Sequence, residues 1–428
     1  MTESVSTAYP RSPGSLANVM AEFDAAAAYL SLSPQEVALL KEPRLSLRLK
    51  LPVRMDNGSI HVFKAYHTVH STTRGPSIGG VQFRPEVYPE LVEALAFWST
   101  HQCALLGMPF GGSWGAVECD PAALSVGELE RLSRQYLVEL MGIVKPNNDI
   151  LTADIGTNQQ IMCWFMDTYS VHHGDFEPAV VLGKPADLGG LTAPVHPAAL
   201  GVDLCIRKAC EHCGLKLEGA RVAVQGFGKV GMNLARLLHA GGAKIVAVAD
   251  ISGAYVNERG IPVDEVVWHQ ESYGLLDGLE AEVDLIKLDD PMGLFELALD
   301  ILVPAALELQ VTDENVDRVQ AKIVAEVAYD PVSPGADRKL YQRGTLVIPD
   351  ILCNAGGVTG HYLEWVQNRM GYYSSAESVR RDVCDIVGQG FDSAMKIAVE
   401  DSIPLRLAPA VVAVKRLAAA VRLRGAYG

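Results

Sequence analysis

A glycine-rich turn is the part of the sequence whose residue types and spacing most clearly indicate chemistry. Gly226, Gly228 and Gly231 follow the GxGxxG spacing, between the apolar run RVAVQ and the helical pattern MNLARLLHAGG. The first glycine of such a turn permits a tight bend, the second lets backbone amides approach a pyrophosphate, and the third lets the helix pack close to the strand. We therefore predict a dinucleotide-binding loop formed by Gly226, Phe227, Gly228, Lys229, Val230 and Gly231.

An acidic residue, Asp250, ends the next apolar run, KIVAVAD. A carboxylate in this position can hydrogen-bond the adenosine ribose of a dinucleotide, which favours NAD. Ser252, two residues further on, and Lys229 in the glycine-rich turn leave NADP open as an alternative. A fold of this type that has lost dinucleotide binding is the other alternative.

A second group of potential ligands, Cys205, Cys210, His212 and Cys213, occurs in the segment CIRKACEHC. Its spacing resembles part of a zinc or iron-sulfur site. The segment has the pattern of a helix, however, and no second ligand cluster lies near it in sequence. We predict no metal here and interpret the cysteines as reduced, buried side chains.

Composition argues against several functional classes. The 428 residues favour two domains, and 49% apolar with 20% charged residues is ordinary for a folded globular protein. A formal net charge of -15 without a Lys/Arg cluster argues against a nucleic-acid partner. No apolar run reaches membrane-spanning length, and the opening MTESVSTAYPRSPG has no targeting pattern. We expect a cytoplasmic protein with no membrane partner.

Hydrophobic periodicity predicts the elements that must position these groups. Apolar and polar residues alternate over positions 44–55, Asp56-Asn57-Gly58 supplies a hairpin turn, and IHVFKAYHTV follows as the partner strand. A helix is predicted from the spacing of Leu91, Ala94, Leu95 and Trp98. Ser125 and Glu128 form a capping box that opens a further helix. The first part of the chain is therefore predicted to be α/β.

After a Gly/Pro-rich passage at 183–201, short apolar strands alternate with helical segments. The strands are RVAVQG, KIVAVAD, DILVPAA, KIVAEV and TLVIPD. This alternation is typical of a doubly wound parallel sheet. We predict an α/β protein with a first domain at 1–185, a Rossmann-type dinucleotide-binding domain at 186–355, and C-terminal helices at 356–428 whose last helix returns to the first domain.

Six segments together resemble the glutamate dehydrogenase group within the Glu/Leu/Phe/Val dehydrogenases. They are RGPSIGGVQFRPEV at 74–87, CALLGMPFGGSWG at 103–115, LTADIGTN at 151–158, VAVQGFGKVG at 222–231, DILVPAALE at 300–308 and PDILCNAGGVTGHYLEWVQN at 349–368. Their number, order and spacing cover nearly the whole chain. The resemblance implies that the first domain binds substrate and mediates oligomerisation, commonly into hexamers.

The resemblance also implies oxidation of an amino acid to its 2-oxo acid, with three lysines and an aspartate around the substrate. One lysine in such a reaction must exchange protons and stabilise a developing oxyanion. Trp114, in GGSWG, matches that lysine, and an indole has one N–H donor, no acceptor and no titration near neutrality. Asp154, in LTADIGTN, matches the family's proton-transfer carboxylate and is retained.

The other two lysines are also replaced. Gln102 matches the lysine that grips the α-carboxylate, and a neutral amide binds a carboxylate more weakly than an ammonium does. Ile78 matches the lysine that meets the side-chain carboxylate of glutamate, and leucine-type relatives share an apolar residue there. Gly79 and Gly80 complete the predicted substrate pocket.

Further departures lie around the predicted nicotinamide and substrate contacts. Gln82 and His361 replace an arginine and a serine, Ala198 replaces the threonine that meets the nicotinamide amide, and Tyr329 replaces an asparagine. Asn354, in the motif NAGG, is retained as a cofactor contact. The pattern favours loss of turnover with preservation of packing.

Three functional hypotheses follow. The first is a regulatory subunit that co-assembles, as a homo- or hetero-hexamer, with an active glutamate dehydrogenase and responds to a small apolar effector such as leucine. The second is an active NAD(P)-dependent amino-acid dehydrogenase that uses Asp154 with His361 or His101 for proton transfer. The third is a dinucleotide-binding sensor without a dehydrogenase partner.

Overall fold

The structure, a computed structural model, describes residues 15–192 and 196–425. The opening segment and part of the Gly/Pro-rich passage discussed above lie outside these residues. The helices are α1 Ser15–Tyr29, α2 Pro34–Lys41, α3 Pro89–Leu105, α4 Val126–Glu139, α5 Gln159–His173, α6 Pro197–Cys213, α7 Lys229–Ala240, α8 Val263–Tyr273, α9 Pro334–Gln342, α10 Asp350–Cys353, α11 Ala355–Met370, α12 Ala376–Glu400 and α13 Leu407–Arg424. The strands are β1 Leu45–Arg54, β2 Ile60–Ser71, β3 Ser77–Arg84, β4 Gly111–Glu118, β5 Asp149–Ala153, β6 Val181–Leu182, β7 Arg221–Gln225, β8 Lys244–Asp250, β9 Gly253–Val256, β10 Ile286–Lys287, β11 Ile301–Pro304, β12 Ile323–Ala325 and β13 Leu346–Ile348.

The first sheet is mixed, with strand order β1-β2-β4-β3-β5-β6. The predicted hairpin is confirmed: β1 pairs antiparallel with β2, and Gly58 takes a left-handed φ of 86° in the connecting turn. Strands β3, β4 and β5 then pair in parallel, so that the segments after β3 and β5 emerge at the same edge. Asp154, which follows β5 directly, is thereby placed at this edge.

The second sheet has the order β10-β9-β8-β7-β11-β12-β13. The strands β7, β8, β11, β12 and β13 pair in parallel, which confirms the predicted doubly wound sheet. Their near-continuous apolar runs are buried because helices cover both faces of such a sheet. Antiparallel strands β9 and β10 extend one edge beyond the sequence prediction.

The last helix packs against the helical layer of the first sheet. Helix α13 packs against α1 and α3, and Arg416 Nη1 donates a hydrogen bond to Ala104 O at 2.9 Å. Two other local predictions are confirmed: Ser125 and Glu128 form a reciprocal capping box at α4, and the segment CIRKACEHC is helical within α6. The domain boundaries at 185/186 and 355/356 remain predictions.

Two of the three cysteines of α6, Cys205 and Cys210, are buried as expected, whereas Cys213 is exposed. Burial raises the pKa of Cys205 to about 12 and that of Cys210 to about 11. Among residues 15–192 and 196–425, no group of three or more His, Cys, Asp or Glu side chains is arranged to hold a metal ion.

No helix in the described part of the chain is long and apolar enough to cross a membrane.

Candidate active-site cleft

A cavity of about 830 Å³ lies where the first sheet faces the glycine-rich loop of the second. From the first domain it is lined by the predicted substrate-pocket and catalytic residues Ile78, Gly79, Gly80, Gln102, Trp114 and Asp154. From the rest of the chain it is lined by Ala198, Val230, Asn354 and His361, which the sequence assigned to cofactor or substrate contacts. The fold therefore gathers side chains separated by up to several hundred residues into one cleft.

Asp154 is bonded to an amide instead of an amine. Gln82 Nε2 donates to Asp154 Oδ2 at 2.6 Å, and the backbone N–H of Asp154 donates to Thr157 Oγ1 at 2.8 Å. Burial raises the pKa of the Asp154 carboxyl to about 6, against the opposing effect of the Gln82 hydrogen bond. The carboxyl can thus titrate near neutrality, but an amide cannot accept its proton.

Trp114 fills the space next to this carboxyl. The side chain, on β4, is only 5% exposed. A Cβ added to Gly80 would lie 2.7 Å from Trp114 Cζ2 and 2.9 Å from Asp154 Cβ, so the indole packs against Gly80 beside Asp154. The indole Nε1 has no hydrogen-bond partner among the described residues. The ring therefore contributes packing at this position without a proton-exchanging group.

Gln102 donates hydrogen bonds to two partners across the cleft. Its Nε2 donates to Asn354 Oδ1 at 2.7 Å and to Ile351 O at 3.2 Å. The first partner is the cofactor contact predicted from the sequence, and the second lies on α10. A carboxylate that approached Gln102 would have to displace these bonds, which weakens the side chain further as a carboxylate receptor.

Ile78 and His361 complete the substrate end of the cleft. Ile78 is buried, and its carbonyl accepts a hydrogen bond from Ser99 Oγ at 2.7 Å. Burial lowers the pKa of His361, with Glu364 opposing the shift, so the imidazole is neutral at pH 7. A neutral imidazole facing the cavity keeps His361 available as a proton carrier.

His101 lies outside the cleft, so the alternative in which it shares protons with Asp154 is wrong. Its ring stacks on Phe97 with centroids 4.1 Å apart and meets Phe23 edge-on. Its Nδ1 bonds to Phe97 O at 2.8 Å, and burial lowers its pKa to about 4. His101 is thus a neutral core histidine.

The glycine-rich loop has the shape that a pyrophosphate requires. Gly226 has φ 93°, and a Cβ there would meet Ala305 O at 2.5 Å; a Cβ on Gly231 would meet Gly226 O at 2.1 Å. A Cβ on Gly228, by contrast, would meet nothing within 4 Å. Helix α7 begins at Lys229 without a side-chain cap, so its first backbone amides point to this open space. Phe227 is buried beneath the loop.

The other predicted cofactor contacts surround the loop. Asp250 ends β8, and its carboxylate accepts hydrogen bonds from Ser252 N, Ser252 Oγ and Leu276 N. These bonds fix the carboxylate and still leave lone pairs for a ribose hydroxyl. Ala198 lies in the first turn of α6 and faces Gly357, whose added Cβ would be 3.9 Å from Ala198 Cβ. The residues present therefore fit a dinucleotide.

Trp98 and Arg84 are among the lining residues that sequence reasoning did not assign to the site. Trp98 was interpreted only as part of an apolar helix face, but it lies four residues before Gln102 and so shares its side of α3. That spacing was the available signal. Arg84 ends β3, and nothing in its sequence context indicated the cavity. It lines the same cavity as Asp154 and lowers the pKa of that carboxyl.

The pH dependence of stability tests the environment of Asp154. A carboxyl with a folded pKa of about 6 and an unfolded value near 4 holds its proton longer in the native state, so the wild type loses stability as pH rises from about 4 to 6. Asp154→Asn does not titrate. Its melting temperature relative to wild type should rise over this window and level off above it, by an amount equivalent to about 3 kcal/mol.

Differential scanning fluorimetry across pH 4–8 measures that difference. Asp175→Asn, at an exposed aspartate, is the matched control. Its melting temperature relative to wild type should vary far less with pH. A difference for Asp154→Asn that is constant over the whole range would mean that this carboxyl has no raised pKa.

Two protein-family models match the chain. The model described as Glu/Leu/Phe/Val dehydrogenase, dimerisation domain, matches residues 43–171, and the model described as Glutamate/Leucine/Phenylalanine/Valine dehydrogenase matches residues 189–425. Over 387 residues the chain is 41% identical to the NAD-specific glutamate dehydrogenase of Staphylococcus aureus (strain COL), covering 90% of this chain and 92% of that protein. It is also 41% identical to the catabolic NAD-specific glutamate dehydrogenase RocG of Bacillus subtilis (strain 168), covering 90% of each.

Solved structures give the same relationship. A chain of the hetero-hexameric glutamate dehydrogenase from Thermus thermophilus, in a leucine-bound form, superposes with a TM-score of 0.92 at 38% identity, covering 98% of this chain and 99% of that one. Glutamate dehydrogenase from Peptoniphilus asaccharolyticus superposes with a TM-score of 0.83 at 35% identity, covering 96% and 99%.

Proposed function

The chain belongs to the Glu/Leu/Phe/Val dehydrogenase family, and from this premise we propose that it is a glutamate-dehydrogenase-like subunit that has lost amino-acid oxidation and regulates an active relative. The observation that carries this proposal is the position of Trp114. The indole stands where the resemblance places the catalytic lysine, packed against Gly80 beside Asp154. Loss of a general acid or base costs about 10²–10⁴ in rate.

The rest of the cleft supports the same reading. Among the described residues that line the cavity there is no lysine, and the cation present is Arg84. Asp154 bonds to the amide of Gln82, and Gln102 bonds to Asn354. Proton transfer and carboxylate binding therefore both lack the ammonium groups that the family's reaction uses.

We infer that the chain binds NAD or NADP, with NAD preferred. The loop from Gly226 to Gly231 leaves space above Gly228, and Asp250 presents a fixed carboxylate to the ribose. Its relatives in Staphylococcus aureus and Bacillus subtilis are named NAD-specific. A bound dinucleotide would supply the hydride acceptor, and its retention in an inactive subunit would serve structure or signalling.

The proposed partner is an active glutamate dehydrogenase subunit in a shared hexamer. The relative from Thermus thermophilus is a hetero-hexamer with leucine bound, and this chain covers 99% of the chain compared. Ile78 is buried at the substrate end of the cleft, and the cavity residues that the structure describes include no lysine for a second carboxylate. These features support a small apolar amino acid such as leucine as the effector.

Co-expression with an active glutamate dehydrogenase subunit from the same genome tests the proposal. We expect the two chains to co-purify as one hexamer and leucine to change the initial rate of NAD reduction by that hexamer, but not by the active subunit alone. Failure to co-assemble, with dinucleotide binding intact by calorimetry, would instead favour the sensor hypothesis.

One observation favours the second candidate, an active dehydrogenase with a rebuilt site. His361 lines the cavity with a neutral imidazole and so could exchange protons near Asp154. If the chain alone oxidises any amino acid, His361→Gln should abolish that activity while leaving the melting temperature close to the wild-type value. Activity that survives this change would exclude the rebuilt site.

A further inference from the structure

Tyr329 reaches from the second sheet's side of the cleft into the hydrophobic core of the first domain. It lies in the segment that follows β12, four residues beyond Ala325. It packs against a buried cluster whose other members all come from positions 66–116: Tyr66, Val87, Leu91, Val92, Leu95, Ala96, Trp114 and Ala116. A side chain of the dinucleotide-binding half thus completes a core that belongs to the other half.

Two tryptophans hold this ring. Trp98 and Tyr329 meet edge to face, with centroids 5.0 Å apart and an interplanar angle of 86°, and Trp114 and Tyr329 do the same at 6.0 Å and 90°. This is the perpendicular, edge-to-face geometry that aromatic quadrupoles favour. All three residues line the cavity beside Ile78 and Asp154. The contact therefore crosses the cleft at its substrate end.

Hydrogen bonds to Asp330 fix the backbone next to Tyr329. Asp330 has a left-handed φ of 46°, uncommon for a residue with a side chain. Its N–H donates to Asp350 Oδ2 at 3.0 Å, and its own Oδ2 accepts from Asn18 Nδ2 on α1 at 2.7 Å. Constraints from α1 and α10 together fix the conformation that directs Tyr329 into the cleft.

We propose that Tyr329 is an internal plug. Its ring, held between Trp98 and Trp114, closes the amino-acid end of the cleft and ties the two halves of the chain together. A ligand that binds at Ile78 and Gln102 must therefore first displace this ring. This inference goes beyond the proposed function, because it holds for an active as well as for an inactive chain. It makes Tyr329 the residue that determines access to the site, through its ring and not its hydroxyl.

Hydroxyl-radical footprinting with mass spectrometry of the full chain tests the plug, because it reports the exposure of each tryptophan separately. In Tyr329→Ala the oxidation rates of Trp98 and Trp114 should rise several-fold over wild type. Tyr329→Phe, which keeps the ring, should match wild type. Trp365, which donates through Nε1 to Pro146 O and is not among the described residues that line the cavity, is the internal reference and should not change.

Asn18→Ala provides a second variant in case Tyr329→Ala folds poorly. Removing the hydrogen bond from Asn18 to Asp330 should raise oxidation of Trp98 and Trp114 in the same direction, with a smaller effect. Unchanged rates at both tryptophans in both variants would overturn the plug. An equal rise at Trp365 would also overturn it, because that result means general loosening. Neither outcome bears on whether the chain regulates a partner.

Discussion

Replacing Trp114 and Gln102 by lysine together should raise the rate of glutamate oxidation by the isolated chain by about 10²-fold or more. The lysine at position 114 would place an amine beside Asp154, whose carboxyl, with its pKa of about 6, could then exchange protons with it. The lysine at position 102 would restore a charged partner for the α-carboxylate in place of an amide committed to Asn354. NADH formation at 340 nm with saturating glutamate and NAD measures the change.

Trp114→Leu combined with Gln102→Lys is the matched control, since it removes the indole without adding an amine at that position. We expect no comparable gain from it. If the double lysine variant instead destroyed an activity that the wild type possessed, the site would have been rebuilt for other chemistry and the vestigial interpretation would be wrong.

Lys184→Met should lower the free energy of unfolding by about 3–5 kcal/mol, the largest stability effect that we expect from a single substitution. Lys184 and Glu364 form an ion pair at 2.8 Å whose side chains are 0% and 3% exposed. Glu364 also accepts from Gly183 N and Lys184 N, and it lies one turn after His361 on α11. Loss of the ammonium leaves a buried carboxylate without its counter-charge and loosens the helix that carries His361.

Thermal and urea unfolding of the full chain measure this cost. Lys64→Met, which breaks the exposed pair with Glu118 at 3.2 Å, is the control and should cost less than about 1 kcal/mol. Lys184→Met with Glu364→Gln should recover much of the loss, because glutamine carries no charge and its amide oxygen can still accept from Gly183 N and Lys184 N. A loss for Lys184→Met no greater than that for Lys64→Met would contradict the buried pair.

The first hairpin and the parallel strands of the second sheet were predictable because the information is local, whereas β3, β4 and β5 of the first sheet were not predicted. Alternation from Leu45 to Val53 identifies a half-buried strand, and the turn around Gly58 requires the left-handed backbone that glycine adopts most easily. The apolar runs of β7 and β8 bracket the glycine-rich loop in the order that a βαβ unit requires. Each of these signals spans fewer than thirty residues, roughly one supersecondary unit.

Helical phase could have distinguished His101 from the neighbouring Gln102 better than sequence matching did. His101 follows Phe97 by four residues and shares its face, which the ring stacking reflects. Gln102 follows Trp98 by four residues, and those two line the cavity. One residue is about 100° around a helix, so His101 and Gln102 point in different directions. Which face meets the cleft still depends on packing between elements.

The contacts of Tyr329 and Asp250 were beyond sequence reasoning. Tyr329 meets Trp98 and Trp114 across more than two hundred residues, and no local pattern encodes the relative placement of the two sheets. Asp250 was expected at the ribose, but its bond from Leu276 N depends on a loop after α8 that has no regular pattern. Long-range contacts of this kind arise from the packing of whole domains.

A single-turnover experiment shows whether the chain oxidises glutamate by itself, because it observes chemistry without any partner subunit. The chain at high concentration is mixed with NAD and saturating glutamate in a stopped-flow instrument, and NADH is followed from milliseconds to minutes. We expect a trace at the buffer baseline, since no lysine is found among the described residues that line the cavity with Asp154. Formation of one NADH per subunit within seconds would contradict it.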